Sequence, residues 1–381
     1  HMEGDPLRTQ QEGVPRPGHL GHEGTGTRGL PCGAMAPDEL TPAWLSDVLG
    51  GDVATVELEL IGDGHVGTSV RLTLTTDDPS LPASVVAKLP SDDERSLMLA
   101  AQVRSYEREV KFYRELAGTV DIRVPHCHHA SWDPATNDFV VVLEDMAPAE
   151  QGDQIAGCSP DRADIAVREL ARLHGPRWED PTLGDIDWLS GNEADTGVTP
   201  SDAYTMMWTL LYPGFASTYE PYLTAEMIDL AEQFGTRIGE FVSGRSRPFS
   251  LVHTDYRLDN ILFGTEAGGP PISVVDWSSP THGTPLTDLA YFCGAGLLPE
   301  ERAAYERELA AAYADAVRAY SVEVDHDWLW EQYRREAFHG LVITVLTSQM
   351  VTMNDRSLDM FGAMASRHLQ HALDLDSLSL I

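Results

Sequence analysis

The sequence is poor in cysteine and has no long apolar run. Its 381 residues include four cysteines, which are widely separated and form no Cys-x-x-Cys pair: Cys32, Cys127, Cys158 and Cys293. This spacing argues against a zinc ribbon or a disulfide framework and favours a reducing, cytoplasmic environment. No apolar run approaches the roughly 18–20 residues of a membrane-spanning helix. The N-terminus also lacks the charge, apolar core and small residues of a signal peptide. We therefore expect no membrane partner.

Positive charge is also scarce. Lysine and arginine total 26 residues against 60 aspartates and glutamates, which gives a formal net charge of −34. Such a negative field repels nucleic acid, so no nucleic-acid partner is expected. The charge would favour a cationic ligand, but an acidic surface can equally serve only to keep a protein soluble.

Residues 1–36 are rich in glycine, proline, threonine and arginine and show no periodicity. We predict that this segment is a disordered extension or tag, and we exclude it from the fold. The remaining chain is long enough for two lobes, each with its own core.

The most informative stretch places polar residues between short β-type runs. One loop carries His253, Asp255 and Asn260, and the next β-type run ends at Asp276. This order, H-x-D-x-x-x-x-N followed by a strand ending in Asp, is the layout of a kinase catalytic loop. Phosphoryl transfer needs a carboxylate for the proton of the attacking hydroxyl and oxygen ligands that hold Mg²⁺ against the phosphates. Asp255 fits the first role, and Asn260 and Asp276 fit the second. A buried polar turn between two hairpin strands is the alternative.

The segments HTDYRLDNILF, VVDW and GTPLTDLAYF resemble the aminoglycoside phosphotransferase and choline kinase-like superfamily. Within it, the chain is most similar to the ecdysteroid-kinase-like (CHK-type) small-molecule kinases of actinobacterial type. The resemblance covers about residues 37–376. It implies an α+β, bilobal protein-kinase-like fold, with a nucleotide-binding N-terminal lobe over 37–146. That lobe has an antiparallel sheet of five strands and one key helix. The mostly helical C-terminal lobe, 147–381, would carry the catalytic loop, the metal site and the acceptor site. Thr254 departs from the family, which usually has glycine there, and could tighten the loop.

Three alternating segments predict the first strands, over 53–61, 69–75 and 83–89. A glycine-rich hairpin between the first two lets backbone amides approach phosphate oxygens, although any hairpin favours glycine. The resemblance makes this hairpin the nucleotide-binding loop, with contacts from Gly62, Gly64, Gly67, Thr68 and Ser69.

Lys88 interrupts the third apolar segment, VVAKL. In a kinase this lysine contacts the ATP phosphates and pairs with a glutamate on the next helix. Helical spacing predicts that helix from Glu94 to Ala117. The resemblance of YEREVKFYREL selects Glu109 as the partner, whereas physical reasoning alone leaves Glu107 nearly as good.

The strand FVVVL, 139–143, leads into a segment that resembles the hinge of the family. The resemblance implies that the carbonyl of Glu144 and the amide of Met146 hold the adenine edge, with Leu143 lining the base pocket. A core strand that ends in an ordinary loop is the alternative.

Amphipathic patterns predict helices over 161–174, 223–242, 299–320, 327–352 and 356–375. Aromatic residues are frequent between 176 and 222, where they could stack on an acceptor ring, cage a cation or simply form core. The resemblance also implies that Asp288, in the helix after Asp276, accepts hydrogen bonds from the catalytic-loop backbone.

Together these features predict ATP-dependent (or GTP-dependent) and Mg²⁺-dependent phosphorylation of a small-molecule hydroxyl, by a monomer or homodimer. The acceptor would be cationic or ring-bearing, such as an antibiotic or another secondary metabolite. Asp255 is the predicted base, while His253 supports the loop and Arg257 stabilises the loop or the transferring phosphate. A catalytically silent nucleotide-binding module and a nucleotidyl transferase on the same fold are the alternatives.

Overall fold

The computed structural model describes residues 36–63, 67–189 and 197–381, and these belong to one compact unit. The predicted extension up to residue 35 and the predicted Gly64 lie outside the described residues. No helix among the described residues has both the length and the apolar character needed to cross a membrane.

The alternating segments form a five-stranded antiparallel sheet in the order β1-β2-β3-β5-β4. Its strands are β1 Thr55–Asp63, β2 Gly67–Thr75, β3 Ser84–Pro90, β4 Cys127–Trp132 and β5 Phe139–Glu144. Helix α1, Pro42–Leu49, starts at the Thr41 cap and ends at Gly50, whose φ of 72° suits a residue without a side chain. The mixed α+β fold that the sequence predicts is confirmed.

The strand register gives the sheet two different faces. Ala87 pairs with Val70 and Val142, and all three belong to the small core that α1 covers with Trp44. Lys88 instead pairs with Val141 on β5. Because directly paired residues point to the same side of a sheet, Lys88 and Val141 share the opposite face. Val141 belongs to the large core of the helical part, so this face of the sheet is turned toward that part.

Most of the remaining chain is helical. The α-helices after α1 are α2 Glu94–Gln102, α3 Ser105–Lys111, α4 Pro160–His174, α5 Pro200–Tyr219, α6 Ala225–Gly235, α7 Ile238–Ser243, α8 Leu286–Gly296, α9 Pro299–Val317, α10 His326–Glu336, α11 Phe338–Met350 and α12 Asp355–Asp374.

Three of the predicted helices are interrupted. The single helix predicted over 94–117 is wrong, because Arg104 adopts a left-handed φ of 57° between α2 and α3. The Arg104 guanidinium pairs with Glu107 one turn later and stabilises this break, 2.7 Å from its carboxylate. After α3 the chain continues as a π-helical segment, Phe112–Leu116. The helices predicted over 223–242 and 327–352 are also each divided, at 236–237 and at Ala337.

Short strands hold the polar loops of the helical part. β7 Ser250–Val252 pairs with β10 Thr281–Gly283, and β8 Ile261–Thr265 pairs with β9 Gly268–Val274 and with β6 Glu150–Gln151. The loop from β7 to β8 contains Asp255, and the segment from β9 to β10 contains Asp276. Two small sheets therefore bring the segments that carry the two carboxylates close together.

Candidate active site

His253 connects the two carboxylate-bearing segments. Its Nε2 donates to the Val275 carbonyl at 3.1 Å, and its Nδ1 accepts the Asp255 amide at 3.3 Å. The ring is almost fully buried, at 1% exposure, and lies 4.6 Å from the Trp277 ring. His253 therefore fixes the backbone before Asp276 against the backbone of Asp255, and it supports the loop as the sequence analysis expected.

The Asp255 carboxylate receives three side-chain donors. Asn260 Nδ2 lies 2.8 Å from Oδ2, and the Tyr291 hydroxyl lies 2.9 Å from Oδ1. The Arg257 Nε lies between the two oxygens, at 3.1 and 3.2 Å. Only 28% of the Asp255 side chain is exposed. The carboxylate is thus held in one orientation with a small open face.

Arg257 is itself tied into a wider ionic network. Its Nη1 donates to Asp259 Oδ2 at 3.0 Å, and Asp259 also binds the Arg356 guanidinium from the first turn of α12 at 3.1 Å. Burial lowers the pKa of Arg257, but Asp255 and Asp259 outweigh burial and raise it further above its usual value. Arg257 therefore stays charged and anchors the loop to α12.

Asn260 uses its amide nitrogen to bind Asp255. Its Nδ2 contacts both the backbone carbonyl and Oδ2 of Asp255, at 2.9 and 2.8 Å. The Val275 amide donates to the Asn260 carbonyl at 3.0 Å, which draws the residue toward Asp276. This arrangement leaves Oδ1 of Asn260 as the atom that could bind a cation.

Lys88 bridges the sheet and the helical part. Its Nζ lies 2.6 and 2.8 Å from the two oxygens of Glu109 and 3.4 Å from Asp276 Oδ1. Glu107, which spacing alone could not exclude, pairs instead with Arg104 and Lys111. Glu109 is therefore the partner of Lys88, as the resemblance indicated.

The charges of this group are strongly coupled. Burial lowers the pKa of Lys88, but Asp276 and Glu109 outweigh it and raise the pKa above its usual value. Burial raises the pKa of Asp276, but Lys88 and Ser278 outweigh it and lower the pKa to about 2. Burial raises the pKa of Glu109 even though Lys88 opposes that effect. Asp276 is therefore an ionised oxygen donor at neutral pH.

Asp288 binds the backbone of the loop that carries Asp255. Its carboxylate accepts the amides of His253 and Thr254, at 2.7 and 2.8 Å, and the expected hydrogen bonds are present. His174 approaches the same carboxylate at 3.2 Å, and Tyr313 in turn contacts the other nitrogen of that ring at 2.9 Å. Asp288 has no exposed surface. His174 therefore has a structural role, because its ring joins two buried side chains, Asp288 and Tyr313.

Thr254 occupies the position where the family usually has glycine. Its φ is 66°, in the left-handed region where a β-branched residue is strained. The Thr254 hydroxyl donates to the Ser279 carbonyl at 2.6 Å. This hydrogen bond to the segment after Asp276 compensates for the strain.

The predicted nucleotide-loop residues flank a hairpin whose tip is not described. Four of them lie in β1 and β2: Gly62, Gly67, Thr68 and Ser69. Ser69 is paired with Lys88, so both point to the same face of the sheet. At Gly67 an added Cβ would lie 2.8 Å from the Leu89 carbonyl, so the close approach of β2 to β3 requires glycine.

The predicted hinge lies where β5 ends. Leu143 is 3% exposed, and the Met146 amide donates no hydrogen bond to any described residue. The Glu144 carboxylate binds Arg123 at 2.8 Å. Asp145 accepts from Arg71 at 2.7 Å and from a β3 serine, which ties the hinge to the sheet.

The described aromatic residues between 176 and 222 belong largely to the core. Those least exposed are Trp188, Trp208, Phe215 and Tyr219. Trp208 stacks on Tyr212 with ring centroids 5.0 Å apart. For these residues the core interpretation is the better one.

Sequence reasoning missed two contributors to this site. Tyr291 follows Asp288 by three residues, so both lie on one face of α8, and that spacing was the available signal. Arg356 reaches Asp259 across 97 residues, and nothing local in the sequence indicates that contact.

A sequence model of the phosphotransferase enzyme family (APH) matches residues 85–334. The match spans more than half of the chain and includes the lysine and the loop described above. Together the kinase-like fold and this site define a small-molecule phosphotransferase class, and the chain belongs to the phosphotransferase enzyme family.

Solved structures share the fold at low sequence identity. A choline kinase from Cryptosporidium parvum Iowa II has a TM-score of 0.56 and 9% identity, covering 86% of this chain and 91% of that one. The GDP complex of wild-type aminoglycoside 2'-phosphotransferase-IIIa has a TM-score of 0.50 and 16% identity, covering 83% and 93%.

Curated relatives match only in part. Acyl-CoA dehydrogenase family member 11 of Rattus norvegicus is 29% identical over 201 residues, which are 51% of this chain and 23% of that protein. The chain spans between 5% and 23% of the length of the curated relatives it matches.

Proposed function

We propose that this protein transfers the γ-phosphoryl group of ATP or GTP to a hydroxyl of a small molecule, with Mg²⁺ as cofactor. The observation that carries the proposal is the convergence of Asp255, Asn260, Asp276 and the Lys88–Glu109 pair at one place. Membership of the phosphotransferase enzyme family supports the reaction class. The bound GDP of the aminoglycoside 2'-phosphotransferase-IIIa structure is consistent with nucleotide use here.

Asp255 is proposed to accept the proton of the acceptor hydroxyl. Asn260, Arg257 and Tyr291 bind its two oxygens, while 28% of the side chain stays exposed. The exposed part of the carboxylate would face the hydroxyl. In the transfer, the acceptor oxygen bonds to the γ-phosphorus, the bond from phosphorus to the bridging oxygen breaks, and the nucleoside diphosphate leaves.

The oxygen donors of this site fit Mg²⁺. Asp276 is ionised, and Asn260 presents Oδ1 because its Nδ2 is engaged with Asp255. When bound, Mg²⁺ would neutralise negative charge on the nucleotide phosphates. Lys88, held by Glu109, would bind phosphate oxygens from the sheet side, and the amide of Met146 would meet the edge of the base. Residues 37–146 would thus act as the nucleotide-binding lobe and 147–381 as the catalytic lobe.

The acceptor class follows less directly. The net charge of −34 favours a cationic acceptor such as an aminoglycoside or an amino alcohol. Sterol-like compounds, sugars and hydroxyacyl compounds are the other candidates.

The test is Mg²⁺-dependent ADP release from ATP across a library of hydroxylated compounds. The library includes aminoglycosides, nucleoside antibiotics, macrolides, sterols, amino alcohols, sugars and hydroxyacyl compounds. Asp255→Asn should abolish release at unchanged ATP binding, because the amide cannot accept the proton. Asp164→Asn is the matched control, since that carboxylate lies on the surface of α4 and, among the described residues, forms its ion pair with Arg168.

The mass of the product separates the competing reactions. Phosphoryl transfer adds one phosphate group to the acceptor, whereas nucleotidyl transfer adds a nucleoside monophosphate and releases pyrophosphate. Tight nucleotide binding with no product from any acceptor, with or without Mg²⁺, would favour the silent nucleotide-binding module. An active Asp255→Asn variant would refute the role of Asp255.

A further inference from the structure

Tyr291 brings a donor to Asp255 from outside the catalytic loop. Its hydroxyl lies 2.9 Å from Asp255 Oδ1, and this is its single hydrogen bond among the described residues. The other donors to that carboxylate, Asn260 and Arg257, come from the loop itself. Tyr291 therefore ties the carboxylate to α8, the helix that also supplies Asp288.

The Tyr291 ring cannot move away from this contact. It is 2% exposed and stacks on the His368 ring of α12, with centroids 5.3 Å apart and planes 10° apart. The His339 ring of α11 meets it edge-on at 5.8 Å. Two helices thus clamp the ring, and the hydroxyl points at Asp255.

The groups around Tyr291 keep its hydroxyl a donor. Burial raises the pKa of Tyr291 well above its usual value, and Asp255 adds to that effect. Burial lowers the pKa of His339 to about 4 and lowers that of His368 as well, so both rings are neutral at pH 7. The Arg257 charge acts on the pKa of Tyr291 in the opposite direction, but Arg257 is already bound to Asp255. The phenol is therefore neutral at pH 7, and its hydroxyl donates the hydrogen bond to Asp255.

We propose that Tyr291 is a positioning residue for Asp255. The hydrogen bond from Tyr291 orients the Asp255 carboxylate so that its exposed part faces the acceptor hydroxyl. This inference rests on the proposed phosphoryl transfer. Packing alone would be satisfied by phenylalanine, because the ring makes the contacts with both histidines and only the hydroxyl reaches Asp255. The hydroxyl therefore has a purpose that the core does not require.

The kinetic test is Tyr291→Phe, which removes one oxygen and keeps the ring. We expect kcat to fall roughly ten- to hundredfold with the KM for ATP unchanged within about twofold, the size of losing one hydrogen bond to a charged group.

The matched control is Tyr333→Phe. Tyr333 is also fully buried, and its hydroxyl donates to the Glu306 carboxylate at 3.1 Å. This hydrogen bond does not involve the loop that carries Asp255. Tyr333→Phe should leave kcat unchanged. A Tyr291→Phe enzyme with wild-type kcat would overturn the proposal, as would an equal effect of both substitutions.

A second measurement does not depend on activity. With 3-fluorotyrosine placed at Tyr291, the ¹⁹F resonance at pH 7 should shift on Asp255→Asn and stay in place on Glu306→Gln. A fluorine signal that ignores Asp255→Asn would refute the contact, even if Tyr291→Phe failed to fold. If the signal responds but wild type transfers no phosphate, the contact stands and the proposed function fails. If wild type transfers phosphate but neither readout responds to its change, the positioning role fails alone.

Discussion

Replacing Lys88 with methionine tests the ion pair that joins the sheet to the catalytic site. The substitution keeps the length of the side chain and removes its charge. Glu109 is then left with 3% of its side chain exposed and without the ammonium that now contacts both of its oxygens. Removing one partner of a buried pair costs about 3–5 kcal/mol. Because 19% of the Lys88 side chain is exposed, we expect the free energy of unfolding to fall by about 3 kcal/mol, the lower end of that range.

This loss should depend on pH in a defined direction. Burial already raises the pKa of Glu109, and removing Lys88 takes away the charge that opposes the rise. A carboxyl group whose folded-state pKa exceeds its unfolded value stabilises the fold only at low pH, and this contribution disappears as the pH rises through the folded-state pKa. The stability deficit of Lys88→Met should therefore be larger at pH 8 than at pH 5.

The assay is urea unfolding of wild type and three variants at both pH values. The double variant Lys88→Met with Glu109→Leu should recover most of the lost free energy, because it no longer leaves the Glu109 charge buried without its partner. Lys111→Met is the matched control and should cost less than about 1 kcal/mol, since Glu107 keeps Arg104 as a partner. A deficit below about 1 kcal/mol for Lys88→Met, or a double variant no more stable than the single one, would refute this reasoning.

Three further expectations concern the loop and the metal site. Asp288→Ala leaves one buried and one partly buried loop amide without their acceptor and should lower the free energy of unfolding by about 3 kcal/mol or more, measured by urea titration. Thr254→Gly relieves the strain at φ 66° but loses the hydrogen bond to Ser279, so the same titration should show a change within about 1 kcal/mol. Asp276→Asn should remove the Mg²⁺ stimulation of ADP release. Because the pKa of Asp276 is lowered to about 2, the stability that its charge contributes in wild type should persist above pH 4. That contribution should be lost as the pH falls toward 2, as the difference between wild type and Asp276→Asn in acid titrations will show.

The catalytic loop could be predicted from sequence because its residues are close along the chain. The spacing of His253, Asp255 and Asn260 fixes their order on one loop, and a strand-like run places Asp276 beside it. The structure brings these four residues together as that spacing implies.

The choice between Glu107 and Glu109 could not be made from spacing. Glu107 and Glu109 are two positions apart, so on a helix their side chains point in directions about 200° apart. Which of them faces Lys88 depends on how the helix is rotated about its axis, and the spacing does not give that rotation. The left-handed Arg104 starts α3 anew and turns Glu107 toward Arg104 and Lys111, which leaves Glu109 to face Lys88. The sequence pattern predicts one continuous helix over 94–117, so it does not indicate this break.

Contacts between distant segments were the part that sequence could not supply. Tyr291 reaches Asp255 only because Asp288 fixes α8 under the loop, and Arg356 reaches Asp259 only because α12 begins beside it. Such contacts depend on tertiary packing, which no local pattern records.

The central claim is that Asp255 serves phosphoryl transfer to a hydroxyl. The most direct measurement follows the γ-phosphate of labelled ATP into an identified acceptor, with Mg²⁺, in single turnovers of wild type and Asp255→Asn at saturating nucleotide. The account predicts a labelled phosphate ester from wild type and a loss of at least about a hundredfold in the variant, with nucleotide binding retained. Equal rates of transfer by the two proteins would contradict it.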